Sequence, residues 1–223
     1  ESRIGPAIKN PIKAAEINIL GTSVVLQCAR ENNVKKVIYS STSSGYGSNE
    51  IPNIETQPDD CLNPYSVTKI SAEKMCTLYS NLYNLPTIIF RYFNVYGERA
   101  PSKGQYAPVI GIFLRQKKAG QSLTIVGDGE QRRDFIYVGD VVEANLKAAM
   151  KDVDEKYFGQ IFNVGSGSNI SINEIAALID NNIEYLPPRE GEARITLANI
   201  DKIKKVLDWH PEMELTQWIS KYL

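Results

Sequence analysis

Tyr65 and Lys69 stand four residues apart in "NPYSVTKISAEK", residues 63–74. Asn63 reads as a helix N-cap and Pro64 as the first helical residue, where a missing N–H is harmless. Residues four apart share a helix face, so the phenol and the amine project side by side. A free tyrosine, with a pKa of about 10, is a poor base at neutral pH. An ammonium a few ångströms away stabilises the phenolate and draws that pKa toward useful acid–base work. The "STSS" cluster at 41–44 supplies hydroxyls that can share the reacting proton and orient an alcohol. Taken singly these signals are weak. Tyr-x-x-x-Lys arises by chance on solvated helix faces, and Ser and Thr crowd turns for hydrogen-bonding reasons.

The elements around the pair give it a setting. "NPIKAAEINILGTSVVLQCARENN" has helical spacing from about Ile12 to Arg30, and "VKKVIYSST" follows as a short strand. "PYSVTKISAEKMCTLYSNLYN" reads as a second long helix and "PTIIFRYFNVYG" as a second strand. Long helix alternating with apolar strand is the rhythm of a parallel sheet with crossover helices. In such sheets reactive groups gather beyond the carboxyl ends of the strands. Both strands run into small polar tails, "SSTSSGYG" and "RYFNVYG". After Gly97 the spacing predicts a helix over about 108–119, short strands and another helix from about Val138. "GQIFNVGSGSNISINEIAALI" is then strand, turn and helix. Gly165 and Gly167 there imitate a dinucleotide phosphate loop. Ile170 stands where the third glycine belongs, and no acidic residue follows to hold a ribose, so an ordinary turn is expected.

Composition excludes several classes. The 223 residues are 43% hydrophobic and 23% charged with a formal net charge of −1, which gives no bulk electrostatic case for nucleic acid or an anionic membrane. One histidine, His210, and three scattered cysteines, Cys28, Cys61 and Cys76, supply no metal-ligand spacing and no disulfide framework. No apolar run approaches the roughly 18 residues of a membrane span. The N-terminus carries no signal-peptide pattern. A cytoplasmic location is the expectation.

Read in order, "N-x-x-G-T" (Asn18, Gly21, Thr22), "SSTSSGYG" (40–47), "PYSVTK" (64–69), "RYFNVYG" (91–97), "RRDFIYVGDV" (132–141) and "PREGEAR" (188–194) resemble the extended short-chain dehydrogenase/reductases. The likeness is closest to the nucleotide-sugar epimerases and dehydratases and covers essentially the whole chain. It implies an α/β fold: an NAD-binding, Rossmann-like parallel sheet with a smaller mixed α/β substrate domain. Residues 1–96 would be a remnant of the Rossmann-type domain. Residues 97–223 would be mainly the nucleotide-sugar domain, with a strand near 160–165 returning to the main sheet.

The same resemblance implies roles. Tyr65 would be the acid–base residue at the sugar 4-hydroxyl, and Lys69 would hold the nicotinamide ribose and lower the Tyr65 pKa. Thr42 matches the catalytic Ser/Thr, with Ser43 beside it. Asn18, Ser40 and Phe93 match positions near the NAD cofactor. Asn94, Arg133 and Arg189 match the residues that hold the substrate diphosphate, a role suited to the planar guanidinium fork. No metal is implied.

Two positions bear on the reaction. The 4,6-dehydratases of the family carry an Asp-Glu pair after the catalytic Thr, and decarboxylases tend to keep a Glu there. Here Ser43 and Ser44 stand instead, and hydroxyls cannot supply carboxylate chemistry at neutral pH. The resemblance therefore implies a 4-epimerase that inverts C4 of a UDP-hexose or UDP-N-acetylhexosamine through a 4-keto sugar with tightly held NAD. Thr196 occupies the gatekeeper position beside the sugar 2-substituent. Being small, it permits an N-acetyl group and also admits plain glucose and galactose.

The family normally opens with a strand and a GxxGxxG turn that grips the dinucleotide through backbone amides and a helix dipole. No GxxGxxG occurs in these 223 residues. The expectation is that about two βαβ units are missing. The alternatives are a non-catalytic UDP-sugar-binding or dimerisation module, or another family member such as a dehydratase or decarboxylase. A homodimer through helices 12–31 and 64–83 is expected, without nucleic-acid or membrane partners.

Overall fold

The computed structural model describes residues 1–101, 108–188 and 191–223. Its first elements are helical: α1 (Ile4–Lys9), α2 (Pro11–Ala15) and α3 (Gly21–Glu31), with a π-helical turn over Glu16–Leu20 joining the last two. The long helix expected from Ile12 to Arg30 therefore exists, but it is underwound around Asn18. Such π segments are rare and concentrate at functional sites.

Strand β1 (Val37–Thr42) opens on Val, Ile and Tyr, which suit a pleated, half-buried surface. Helix α4 (Pro64–Tyr83) starts at a capping box. The Asn63 side chain accepts the Ser66 N–H at 2.9 Å, and Ser66 Oγ faces the Asn63 N–H at 3.4 Å. It stops at Asn84, which adopts a left-handed conformation with φ 54°. Strand β2 (Thr87–Tyr92) is buried along nearly its whole length, as a central parallel strand should be.

Then follow β3 (Asn94–Tyr96), α5 (Val109–Lys118), β4 (Leu123–Val126), β5 (Arg132–Arg133), β6 (Phe135–Tyr137) and α6 (Val138–Met150). The chain closes with β7 (Gln160–Val164), β8 (Ile170–Ser171), α7 (Ile172–Ile179), β9 (Ile183–Leu186), α8 (Asp201–Leu207) and α9 (Leu215–Ser220).

The main sheet is parallel with order β1-β2-β7, in register Ser41 to Arg91 and Arg91 to Asn163. Among the described residues β1 pairs on one side only. Leu26, Cys76, Leu85 and Ile89 fill the interface between the sheet and α3–α4. Phe90, Phe162, Ala144, Ala148, Ile203 and Trp209 fill the opposite face under α6 and α8. A separate core built on Phe113, Ile125, Phe135, Ile175 and Trp218 joins α5, α7, α9 and the parallel β4–β9 pair. Burying these side chains contributes about 1.5–3 kcal/mol for each large one.

The Gly165–Gly167 turn does not imitate a phosphate loop in its use. The Ser166 and Gly167 N–H groups donate to the Asp134 carboxylate at 2.7 and 3.1 Å, and the Ala198 N–H joins them at 3.0 Å. An internal anion occupies the nest, which is an intramolecular use of the turn amides.

Candidate active site

The carboxyl ends of β1 and β2 and the first two turns of α4 meet at one place. Tyr65 and Lys69 share the α4 face turned toward β1. Lys69 Nζ donates to the Ser40 carbonyl at 2.6 Å and sits 4.3 Å from the centre of the Tyr39 ring. The Thr42 hydroxyl favours the deprotonated form of Tyr65. Burial is the larger influence and pushes the phenol above its ordinary value. The resemblance gives Lys69 the role of lowering the Tyr65 pKa; the influences on the phenol in this structure are burial and the Glu1 carboxylate, which raise it, and the Thr42 hydroxyl, which lowers it. Burial also pulls Lys69 down to about 8, opposed by the nearby Glu73 carboxylate.

Thr42 Oγ1 accepts the Ser44 N–H and donates to Ser44 Oγ, both at 3.1 Å, so "TSS" forms a closed hydroxyl turn. Asn18 is buried behind the pair. Its amide donates to Thr68 Oγ1 at 2.9 Å, and that hydroxyl donates to the Tyr65 carbonyl at 2.9 Å. The π turn thus delivers an asparagine to the base of the first α4 turn. Ser40 Oγ donates to Tyr92 Oη at 3.2 Å. Phe93 is only 4% exposed and stacks on Tyr46, so its side chain belongs to the core beneath the site.

Beside this cluster lies a cleft of about 190 Å³ lined by Ser43, Ser44, Asn94, Arg133, Glu192 and Thr196, among others. It gathers residues separated by more than 150 positions in the chain. Arg133 donates to the Arg132 and Arg194 carbonyls and pairs with Glu192 at 3.2 Å. Burial lowers the Arg133 pKa, and the Glu192 carboxylate opposes that. The loop carrying Glu192 is fastened to α4: Asn63 Nδ2 donates to the Gly191 carbonyl at 2.9 Å. Gly191 has φ +80°, a conformation that favours glycine. Arg189 lies outside the described residues.

Sequence reasoning did not find Glu192 or the buried Glu73–Arg91 pair. "REGEAR" contains Glu192, but nothing local says that it pairs across 59 positions with Arg133. Among the described residues no group of His, Cys, Asp and Glu could hold a metal ion.

The model of the NAD dependent epimerase/dehydratase family matches residues 1–165. The chain belongs to that family. Among its relatives, the UDP-glucose 4-epimerase of Mycolicibacterium smegmatis is 33% identical over 96% of this chain and 70% of its own. The UDP-N-acetyl-alpha-D-glucosaminuronate decarboxylase of Bacillus cytotoxicus is 35% identical, again over 96% of this chain and 70% of its own. The crystal structure of UDP-glucose 4-epimerase from Thermotoga maritima, with UDP-glucose, superposes with a TM-score of 0.92. It is 33% identical, and the match covers 98% of this chain and 72% of that one. This family member is therefore an α/β protein with the Rossmann-like parallel sheet of nucleotide-sugar enzymes. It spans about 70% of the length of its relatives. None of its described helices is long and apolar enough to cross a membrane.

Proposed function

We propose that these residues form the catalytic and substrate-holding part of an NAD-dependent nucleotide-sugar 4-epimerase acting on a UDP-hexose or UDP-N-acetylhexosamine. The observation that carries this reading is the Tyr65–Thr42 contact beside a cleft lined by Asn94, Arg133 and Thr196. In that cleft the positions after Thr42 are hydroxyls. Among its lining residues the one carboxylate is Glu192, and Arg133 engages it. A decarboxylase or dehydratase of this family would carry its acid–base carboxylate just after Thr42, where Ser43 and Ser44 do not supply one.

The residues present fit the nicotinamide–ribose end of NAD. Lys69 carries three N–H donors and uses one on Ser40. With the Tyr65 hydroxyl, the remainder make a donor set suited to a ribose diol at the carboxyl end of a parallel strand. NAD, when bound, supplies hydride acceptance and return at the sugar C4. The chain's own work is proton handling and grip. Tyr65 takes and returns the proton of the 4-hydroxyl, Thr42 shares it, and Asn94 and Arg133 hold the diphosphate. Thr196 leaves room at the sugar 2-position.

A homodimer belongs to this reading. Ile17, Leu20 and Val24 at helical spacing, with Leu78 and Leu82 on α4, leave an apolar face exposed.

A second reading is a UDP-sugar-binding module that turns nothing over. One observation favours it: Tyr65 and Lys69 are not among the residues that line the cleft of Asn94, Arg133 and Thr196. Denaturing release of bound nucleotide from the purified chain separates the two. Stoichiometric NAD together with conversion of UDP-glucose or UDP-N-acetylglucosamine to its 4-epimer supports the enzyme. UDP-sugar binding without NAD or turnover supports the module, and release of carbon dioxide from a UDP-uronate would overturn the epimerase reading.

A further inference from the structure

Tyr65, Lys69 and Glu73 follow one another at intervals of four along α4, so a third side chain continues the line of the acid–base pair. Glu73 is 2% exposed, and its partner Arg91, on β2, is 1% exposed. Neither lines the cleft. A buried ion pair is a poor way to fasten a helix to a strand, because desolvation offsets much of the attraction and apolar side chains of the same volume serve as well or better. Packing alone does not explain why charge is placed here.

The geometry supplies an explanation. Arg91 grips Glu73 with two parallel bonds, Nε to Oε1 at 3.0 Å and Nη2 to Oε2 at 2.7 Å. Its Nη2 also donates to Asp59 at 2.8 Å, and the guanidinium lies 4.5 Å from the centre of the Tyr46 ring. Glu73 Oε1 has a further donor, Ser41 Oγ. Ser41 is the middle of Ser40–Ser41–Thr42. The outer two residues of that tripeptide are the ones that meet the pair: the Ser40 carbonyl takes Lys69, and Thr42 faces Tyr65. A carboxylate fixed in a guanidinium fork therefore holds the centre of the strand tip whose two ends touch the reacting side chains.

We propose that Glu73 is a positioning residue for the acid–base site: clamped by Arg91, it sets the β1 tip, and with it the Ser40 carbonyl that receives Lys69, against α4 through Ser41. The inference rests on the reading of Tyr65 and Lys69 as the working pair. The groups that face Lys69 are the Ser40 carbonyl and the Tyr39 ring from β1, with Tyr65, Glu73 and Cys76 from α4 itself. Glu73 is the one carboxylate among them. Its removal takes away the larger of the influences that oppose desolvation and moves Lys69 toward the neutral amine.

Competitive labelling of the whole chain with an acetylating reagent tests this without cofactor or turnover. The rate at the Lys69 peptide is read by mass spectrometry across pH, with exposed Lys13 as internal reference. Glu73→Gln is expected to label Lys69 severalfold faster at pH 7, because the neutral fraction of the amine rises. Because Glu73→Gln also strands Arg91, the decisive variant is Glu73→Gln with Arg91→Met, which removes both charges and keeps side-chain volume. A thermal melt near that of the parent with Lys69 still labelled faster supports positioning. A parent-like melt with parent-like labelling overturns it and leaves the pair a structural clamp. Ser41→Ala, which keeps both charges, covers the case of a double variant that does not fold. It should raise Lys69 labelling by loosening the Ser40 contact, and unchanged labelling there overturns the tether. Loss of epimerase activity in the parent would overturn the functional reading and leave these labelling results standing.

Discussion

Thr196 Oγ1 accepts the Asp134 backbone N–H at 3.2 Å and lies 3.5 Å from Asn94 Nδ2. One hydroxyl thus joins the cleft wall to the strand that carries Arg133. The side chain at 196 is held in place as well as small, so the volume of the cleft beside it is defined by the fold. Thr196→Tyr is expected to reduce kcat/KM for UDP-N-acetylglucosamine far more than for UDP-glucose. Equal loss on both would remove position 196 from sugar selection. Thr196→Val should cost about 1 kcal/mol of stability for the lost hydrogen bonds and leave the substrate ratio unchanged.

Arg133 is already engaged, by two carbonyls and by Glu192. In the proposed complex a substrate diphosphate would compete with that carboxylate for the guanidinium. Arg133→Ala should weaken UDP-sugar binding by about 1.5–3 kcal/mol, roughly tenfold to a hundredfold in Kd, measured by calorimetry. If Arg133 does not touch the diphosphate, UDP and uridine should lose affinity equally.

Tyr65→Phe deletes the hydroxyl that faces Thr42 and little else. Epimerisation by the NAD-loaded protein should fall about 10²–10⁴-fold, with the melting temperature nearly unchanged. Near-parental turnover would reassign the acid–base role.

Lys69 has its folded pKa lowered from 10.5 to about 8 by burial. Between those values the unfolded chain holds a proton that the folded chain has released. Stability therefore rises with pH across this window, and the cost of burying the ammonium is fully present below pH 8. Melting curves of the parent and Lys69→Met should show the parent gaining on the variant from pH 8 to pH 10. A constant difference would mean that the amine is solvated like an ordinary lysine.

The exposed row Ile17, Leu20, Val24 is expected to bury against a second copy. Leu20→Glu should convert a dimer to monomer in sedimentation equilibrium. A parent that is monomeric at all concentrations would refute that interface.

Much of this site was legible in the chain, for reasons that can be located. Asn63-Pro64 announces the start of α4, and the i, i+4 spacing fixes Tyr65 beside Lys69 whatever surrounds them. The apolar run Thr87–Phe90 identifies a central strand because both of its faces must be covered. The π turn around Asn18 left no mark, since its residues keep ordinary helical periodicity. Glu73 and Arg91 each look like a surface charge on an amphipathic element until the strand register sets Arg91 beside Ser41. The pairing of β4 with β9 joins positions some 60 residues apart through alternating side chains too few to give a pattern. Tertiary context decided these cases, and local spacing carries no record of it.

The one-sided pairing of β1 among the described residues has a consequence for any polypeptide whose sheet ends there. With no further strand beside it, Val37–Thr42 would present a row of amides and carbonyls to any chain that arrives. Charge at its entrance is thin: Lys36 Nζ is drawn away to the Ala148 and Lys151 carbonyls, which leaves exposed Lys35 to repel a second copy. Repulsion from a lone surface lysine is screened within about 8 Å at physiological ionic strength. Added salt should therefore promote self-association, and because that process is of second order in protein, dilution rather than cooling is what keeps the molecule dispersed.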